Sequence, residues 1–377
     1  MAIKFALQNG ALVYRMVAVR GRIFRWLLIL ALLTVAGGAA WLWWRVDTQA
    51  RRLLLPNNPL YSGYNDLPDK AQGVSLEPFE LTGWDGTPVQ ACIVRKPKES
   101  EGLTPRQQSL RERLSEELSG VDYALVCVDW DHGIRSALPL AEALAAAGIT
   151  CVLWEPRGSS SARNFCTHGL HESADVPLII NELEKRTGHG NLIIAGIGRG
   201  FGAELMLQAA AVEPRLHAIV AIDAASSLNK TLKRANVSAP MRELIGLRMN
   251  QLTGLEPFDI AAVKSASLIS RELPVLVAHT GAELPAGSLE DAAAIYTQLR
   301  SDQRRLLTVR NAKDAPEATT RTITHSTAGG KREIVQEIEA DLANNADEVL
   351  VEVLRWLSNV LISQEESQGL LPTRYTP

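Results

Sequence analysis

The sequence lacks a pronounced charge of either sign. Its 39 basic and 42 acidic residues give a net charge of −3 over 377 residues. A nucleic-acid-binding domain carries a clustered basic surface, so the composition gives no sign of a nucleic-acid partner. The chain also has no internal repeat and no low-complexity tract. With 46% hydrophobic and 21% charged residues, it has the composition of an ordinary globular protein rather than of a disordered one.

Cysteine is scarce as well, and no two cysteines have Cys-x-x-Cys spacing. The four are Cys92, Cys127, Cys151 and Cys166. Cys127 and Cys151 lie in apolar runs typical of buried strands, where a thiol usually serves as a small packing group. A disulfide remains compatible with this pattern, which does not fix the cellular compartment.

Charge is absent altogether from residues 26–44, "WLLILALLTVAGGAAWLWW". At helical rise these residues extend roughly 28 Å, about the thickness of a bilayer core. Residues 1–25 before them carry only basic charges, which favours a cytoplasmic N-terminus and an extracytoplasmic C-terminal domain. Trp41, Trp43 and Trp44 are typical of an interfacial aromatic belt. The sequence therefore predicts a single membrane anchor, which makes the membrane the first expected partner.

A cleaved signal peptide is the competing interpretation of this run, because "AGGAA" offers small residues to a protease. The basic arm before the run is long for a signal peptide, and the tryptophans follow the small residues instead of preceding them. Both features favour an anchor that is retained.

Apolar strands and amphipathic helices alternate from Tyr123 onward. After a predicted linker over residues 45–75, a hairpin turns at Asp85-Gly86, and an exposed helix is predicted from Thr104. Buried strands such as "YALVCVD" and "NLIIAG" are then separated by helices such as "ESADVPLIINELEKRTG". This order predicts a mostly parallel sheet covered by helices on both faces. Residues 332–362 are predicted to form one or two terminal helices.

The resulting order of elements resembles the α/β-hydrolase superfamily, in the style of its serine aminopeptidase-like and esterase branch. The resemblance covers residues 76–360. The predicted domain extends over 76–362 with a cap insertion at 225–272, and residues 363–377 form a C-terminal tail. "LWEPRGSSSARN" is similar to the family's D-x-R-G-x-G-x-S loop, and "HGLHESADV" to its Y-G-x-x-E-x-x-D-V segment. The resemblance implies an α/β-hydrolase fold with a catalytic serine on a sharp turn between a strand and a helix.

The predicted serine position holds a glycine. "GIGRG" matches G-x-S-x-G with Gly198 at the place of the nucleophile and Arg199 beside it. The resemblance further assigns the acid to Glu283 and the histidine to Asp314, and an aspartate cannot serve as the base toward a serine. His325, eleven residues later, is a possible substitute. The sequence thus predicts a degenerate triad.

The segment after "ALVCV" also departs from the family, which usually has His-Gly there. Asp129 and Trp130 occupy the matching positions. Negative charge near a developing oxyanion opposes catalysis. The leading hypothesis is therefore an inactive, membrane-anchored relative without a cofactor that acts by binding or scaffolding toward an unknown small molecule or protein.

Two other hypotheses start from different residues. Cys166, His168 and His171 form Cys-x-His-x-x-His and are weak candidates for a zinc site that would supply a metal-bound water to an active ester or peptide hydrolase. Gly198, Gly200 and Ala203, followed by Asp223, imitate a dinucleotide-binding fingerprint. That fingerprint normally opens its domain, whereas here it follows two earlier strand–helix units.

Overall fold

The computed structural model describes most of the chain, in two compact units, Met1–Ala50 and Arg51–Pro377. The described residues are 2–55, 74–95, 105, 108, 121–127, 134–157, 165–258, 261–281, 287–311, 319–326, 332–340, 351–357 and 359–361. Within residues 2–23 and 310–340 the description is of the backbone.

A single long helix, α1, runs from Ala2 to Leu54. In its stretch Phe24–Leu54 it is long and apolar enough to cross a membrane. The helix continues ten residues into the predicted linker, because the segment "RVDTQARRLL" contains neither glycine nor proline. It ends just before Pro56. Residues 56–73 of that linker lie outside the described residues, as does nearly all of the helix predicted from Thr104.

The second unit contains the predicted alternation of strands and helices, with turn residues where helices end. Gly188, for example, ends one helix in the left-handed conformation, with φ of 71°. The elements are β1 (Ser75–Thr82), β2 (Pro88–Arg95), β3 (Tyr123–Cys127), α2 (Leu138–Ala146), β4 (Thr150–Trp154), α3 (Asp175–Thr187), β5 (Ile194–Arg199), α4 (Phe201–Ala210), β6 (Leu216–Ile222), α5 (Leu228–Arg234), α6 (Ala239–Thr253), α7 (Ala262–Ala266), β7 (Val275–His279), α8 (Leu289–Gln298), β8 (Arg304–Asn311), β9 (Thr319–Ser326) and β10 (Arg332–Ala340).

Within the described part of the chain these strands form one ten-stranded sheet, in the order β1-β2-β4-β3-β5-β6-β7-β8-β10-β9. The six strands β3 to β8 are parallel to one another, and β2 pairs antiparallel with β4 at one side of this group. Side chains alternate between two cores: Val275 and Val277 face one, Leu276 and Ala278 the other. The parallel strands all end at one edge, which we call the carboxyl edge.

The C-terminal prediction was partly wrong. Residues 332–340, predicted as helix, form β10, while residues 351–357 and 359–361 are helical as predicted. The preceding "TTRTITHS" is rich in β-branched residues and forms β9, which pairs antiparallel with β10 while β8 pairs with it in parallel. Two ladder partners thus override the helical spacing of Ile334 and Ile338.

The predicted cap insertion, residues 225–272, contains α5, α6 and α7. A cavity of about 290 Å³ lies there, with mixed polar and apolar walls. Gly246 permits this packing, since a Cβ on it would lie 2.4 Å from the ring of Phe258. The other walls include Asn229, Arg242 and Glu256.

Candidate functional site

A sharp turn follows β5 at the carboxyl edge, and its apex is Gly200. Gly200 has φ of 56° and ψ of −123° and is the N-cap of α4. A non-glycine residue is held in such a conformation at a cost of about 1–3 kcal/mol, which proteins accept where function requires it. The Gly200 N–H donates to Ile222 O of β6 at 2.8 Å, and its carbonyl accepts from Ala203 N at 3.1 Å. These bonds fix the turn between two central strands.

The turn lies two residues later than the sequence predicted. Gly198 is part of β5, paired with Cys127 on one side and Ala221 on the other. Glycine occurs at every second position in "GIGRGFG", so the pattern G-x-x-x-G fits in more than one register. The end of the β5 ladder decides between the registers, and the sequence alone does not reveal that end. In the observed register the pattern is Gly198-Arg199-Gly200-Phe201-Gly202.

Gly198 has a steric role in this turn. A Cβ built on it would lie 2.4 Å from Gly202 O and 2.5 Å from Ala203 N, far below an ordinary contact. Gly196 has a milder version of the same constraint, with Ile219 Cδ1 at 2.8 Å. The first turn of α4 therefore lies directly against β5. The apex itself has no side chain to act as a nucleophile.

Asp223 and His279 meet beside this turn, at the ends of β6 and β7. The buried Asp223 carboxylate accepts hydrogen bonds from Thr280 N at 2.8 Å and from Thr280 Oγ1 at 2.6 Å. His279 Nδ1 lies 3.1 Å from Asp223 Oδ1. The Asp223 backbone is left-handed, with φ of 52°, and Gly287 N donates to its carbonyl at 3.1 Å. The cluster ties β6, β7 and the start of α8 together.

This cluster was not predicted, although both residues were visible as polar groups directly after apolar strands. Parallel neighbouring strands end at the same edge, which was the available signal. The arrangement also weakens the dinucleotide hypothesis. The carboxylate that would hold a ribose is already bonded within the protein, and Gly198 lies inside a strand.

The three weak zinc candidates have other partners. The Cys166 sulfur accepts from His168 N at 3.4 Å, His168 Nε2 lies 3.1 Å from Leu53 O, and the His171 ring contacts Trp84 edge-on at 5.0 Å. Burial lowers the pKa of His168 to about 4 and raises the pKa of the Cys166 thiol well above its usual range. Over the described ranges, no group of three potential metal ligands occurs.

The motifs that carried the family resemblance have structural roles here. Arg157, from "WEPRG", donates to Asp175 at the start of α3 through Nε at 2.8 Å and to Asp85 in the β1–β2 turn through Nη1 at 2.6 Å. Glu172 is fully buried and accepts hydrogen bonds from Thr167 N, Thr167 Oγ1 and Gly169 N at 2.7–2.8 Å. Burial opposes the charge of Arg157, but the bonds to Asp175 raise its pKa above the usual value.

His325 is not brought to the turn. It lies in β9, five strand positions from β5 in the sheet order, which is about 24 Å at the usual strand spacing. Its register partner is Glu333 near the beginning of β10, whereas β10 reaches the carboxyl edge only at Ala340 beside Asn311. An imidazole cannot bridge that separation. The base predicted as a substitute is therefore absent from the turn.

The remaining predicted site residues fall outside the described ranges. These are Asp129, Trp130, Glu283 and Asp314. Arg199 is described: it is the exposed last residue of β5, level with Ile222.

Comparison with known proteins identifies the fold. No family model matches the chain, and no curated protein matches it. Among solved structures, the esterase Pf2001 of Pyrococcus furiosus superposes with a TM-score of 0.51 at 13% identity, covering 78% of this chain and 96% of its own. A 2,6-dihydroxy-pseudo-oxynicotine hydrolase gives 0.49 at 14% identity, covering 76% and 68%. An acylaminoacyl peptidase gives 0.45 at 13% identity, covering 65% and 38%.

These likenesses concern the fold alone. The chain has an α/β-hydrolase fold, with the mixed sheet, the helices on both faces and one N-terminal apolar helix that is long enough to span a membrane. This fold agrees with the prediction from the sequence.

Proposed function

We propose that this protein is a membrane-anchored member of the α/β-hydrolase fold that has lost serine catalysis and acts by binding or scaffolding. The single observation that carries the proposal is the conformation of Gly200. It is the residue in the strained turn between β5 and α4, where the fold presents its nucleophile. A glycine there relaxes the strain and removes the attacking oxygen.

The surroundings of the turn support the same conclusion. The contact of Gly198 with Gly202 and Ala203 preserves the close approach of helix and strand that the turn requires. His325 is five strands away. The aspartate at the expected histidine position, Asp314, and the acid candidate Glu283 remain sequence-based parts of the proposal. The protein thus keeps the framework of the site without its reactive groups.

The apolar helix supports anchoring. All side chains from Phe24 to Trp44 are exposed within the structure, as expected of a segment that lies in lipid. The excess of basic residues in the arm over residues 1–25 assigns the N-terminus to the cytoplasm and the domain to the other side.

Labelling with a fluorophosphonate probe tests the loss of catalysis. We expect no covalent adduct on the full chain in detergent or in membranes, while an active serine esterase added to the same sample is labelled. The peptide map decides the outcome. A stable adduct on one identified serine of the native chain, lost after heat denaturation, would overturn the proposal.

Reporter fusions test the orientation. Alkaline phosphatase fused after Trp44 should be active, and the matched fusion after Arg25 should be inactive, because the enzyme matures only outside the cytoplasm. The opposite pair of activities would contradict the proposed topology. Release of the domain from membranes, with a new N-terminus near residues 36–40, would show that the apolar run is a cleaved signal peptide and not an anchor.

A further inference from the structure

The last turn of α1 is hydrogen-bonded to the segment that precedes α3. Cys166 N donates to Leu54 O at 2.8 Å, and His168 Nε2 lies 3.1 Å from Leu53 O. The last carbonyls of a helix have no N–H donor within the helix, so these two contacts satisfy oxygens that would otherwise need water. Leu54 is 1% exposed. The turn Arg51–Leu54 is therefore an integral part of the second unit.

Two large apolar side chains are exposed beside this segment. Trp84 is 64% exposed at the tip of the β1–β2 hairpin, and Leu170 is 46% exposed. The edge-on contact between Trp84 and His171 places the hairpin tip beside the residue that follows Leu170. The tip is held in position, because Arg157 donates to Asp85 at 2.6 Å. An exposed, fixed tryptophan has the chemistry of a group that sits between water and an apolar phase.

The hairpin tip lies beyond the carboxyl edge, and segment 166–171 packs beside α4, where Gln208 Nε2 donates to His168 O at 3.0 Å. Ala91 of β2 pairs with Trp154, the last residue of β4, so the hairpin tip at 83–87 projects past the end of β4. Segment 166–171 follows the end of the same strand. We call Arg51–Leu54, Trp84 and Leu170 together the docking corner. Val212, which is 65% exposed, lies between α4 and β6, where the chain has returned to the opposite edge of the sheet.

We propose that the docking corner binds the lipid–water interface of the membrane that α1 spans. This inference rests on the proposed anchoring by α1. Leu54 follows Trp44 by only ten positions in the sequence, so the second unit begins soon after the predicted span. Tryptophan favours the headgroup level of a bilayer, and Leu170 supplies the apolar contact beneath it. Arg51 and Arg52, both exposed, add positive charge to the same segment.

The test uses the full chain reconstituted in vesicles of phosphatidylcholine with or without phosphatidylglycerol. An environment-sensitive dye is attached to Leu170→Cys, and Val212→Cys is the matched control. All four native cysteines are buried, so the new thiol is the one labelled. Nitroxide-bearing lipids then report contact with the bilayer. We expect a blue shift and lipid quenching at position 170 and neither at position 212. Replacing Trp84 by Ser in the Leu170→Cys chain should diminish both signals.

Different outcomes separate the two layers of the argument. If the chain leaves the vesicles in alkaline carbonate, the anchor itself is refuted. If the chain stays in the vesicles but the dye at 170 is as aqueous as the dye at 212, the docking corner is refuted and the anchor stands. A blue shift at 170 without lipid quenching also overturns the proposal, because a protein surface then covers the corner.

Discussion

Replacing Gly198 by Ala should force helix α4 away from strand β5. The new methyl group would lie 2.4 Å from Gly202 O and 2.5 Å from Ala203 N and Cα, whereas ordinary contacts are 3.4–4 Å. The shortfall of about 1 Å falls on backbone atoms, which cannot rotate away as a side chain can. Overpacking of this kind costs about 1–3 kcal/mol or more. For a domain of this size that lowers the unfolding midpoint by roughly 2–12 °C.

The assay is thermal unfolding of the full chain in detergent, followed by the circular dichroism of the second unit's helices and sheet. Gly190→Ala is the matched control, because a Cβ there meets no atom within 4 Å and the residue is not left-handed. We expect the control to unfold close to the wild type. If Gly198→Ala and Gly190→Ala unfold at the same temperature, the close approach of helix and strand at Gly198 is refuted.

Three further predictions concern charge and burial. Desolvation opposes the charge of Asp291, but hydrogen bonds from Ser226 and Ser288 and the charge of Arg234 lower its pKa below 3.8. The stabilising contribution of the carboxylate should therefore be complete above pH 3.8 and disappear below it. Asp291→Asn should unfold at a lower temperature at neutral pH, and its unfolding temperature should fall less on acidification than that of the wild type. His168 should destabilise the fold by about 3 kcal/mol as the pH falls from 6.5 to about 4, since burial lowers its pKa. The variant His168→Asn, which tolerates the same φ of 54°, should reduce the loss of stability over this pH range to the parts due to groups such as His217 and Glu213. An unchanged pH dependence would contradict the assignment. The four native cysteines should resist an aqueous thiol reagent until the protein unfolds, and rapid modification of the native chain would contradict their burial.

The order of strands and helices could be predicted from the sequence because each buried parallel strand is a continuous apolar run. The terminal segment could not, since the pairing of β10 with both β8 and β9 is a long-range contact that local spacing does not contain. In the same way, the position of the sharp turn depends on where the ladder of β5 ends. Four alternating glycines left that end undetermined by two residues.

The side-chain chemistry was harder to predict than the fold. Cys166, His168 and His171 have the spacing of metal ligands, but their partners come from distant parts of the chain, including Leu53 and Trp84. Asp223 and His279 are separated by 56 positions and form no sequence motif, yet their side chains are in contact because β6 and β7 are neighbouring strands. Spacing along the chain can suggest candidate ligands, but the arrangement of the strands determines which side chains are in contact.

The bonds between residues 53–54 and 166–168 set a practical boundary for any water-soluble version of this domain. A fragment that starts after Leu55 would lack the buried Leu54 side chain, and the Cys166 amide and the His168 imidazole would lose their hydrogen-bond partners. A secreted fragment should therefore begin ahead of Arg51, with the final helical turn retained as its first folded element.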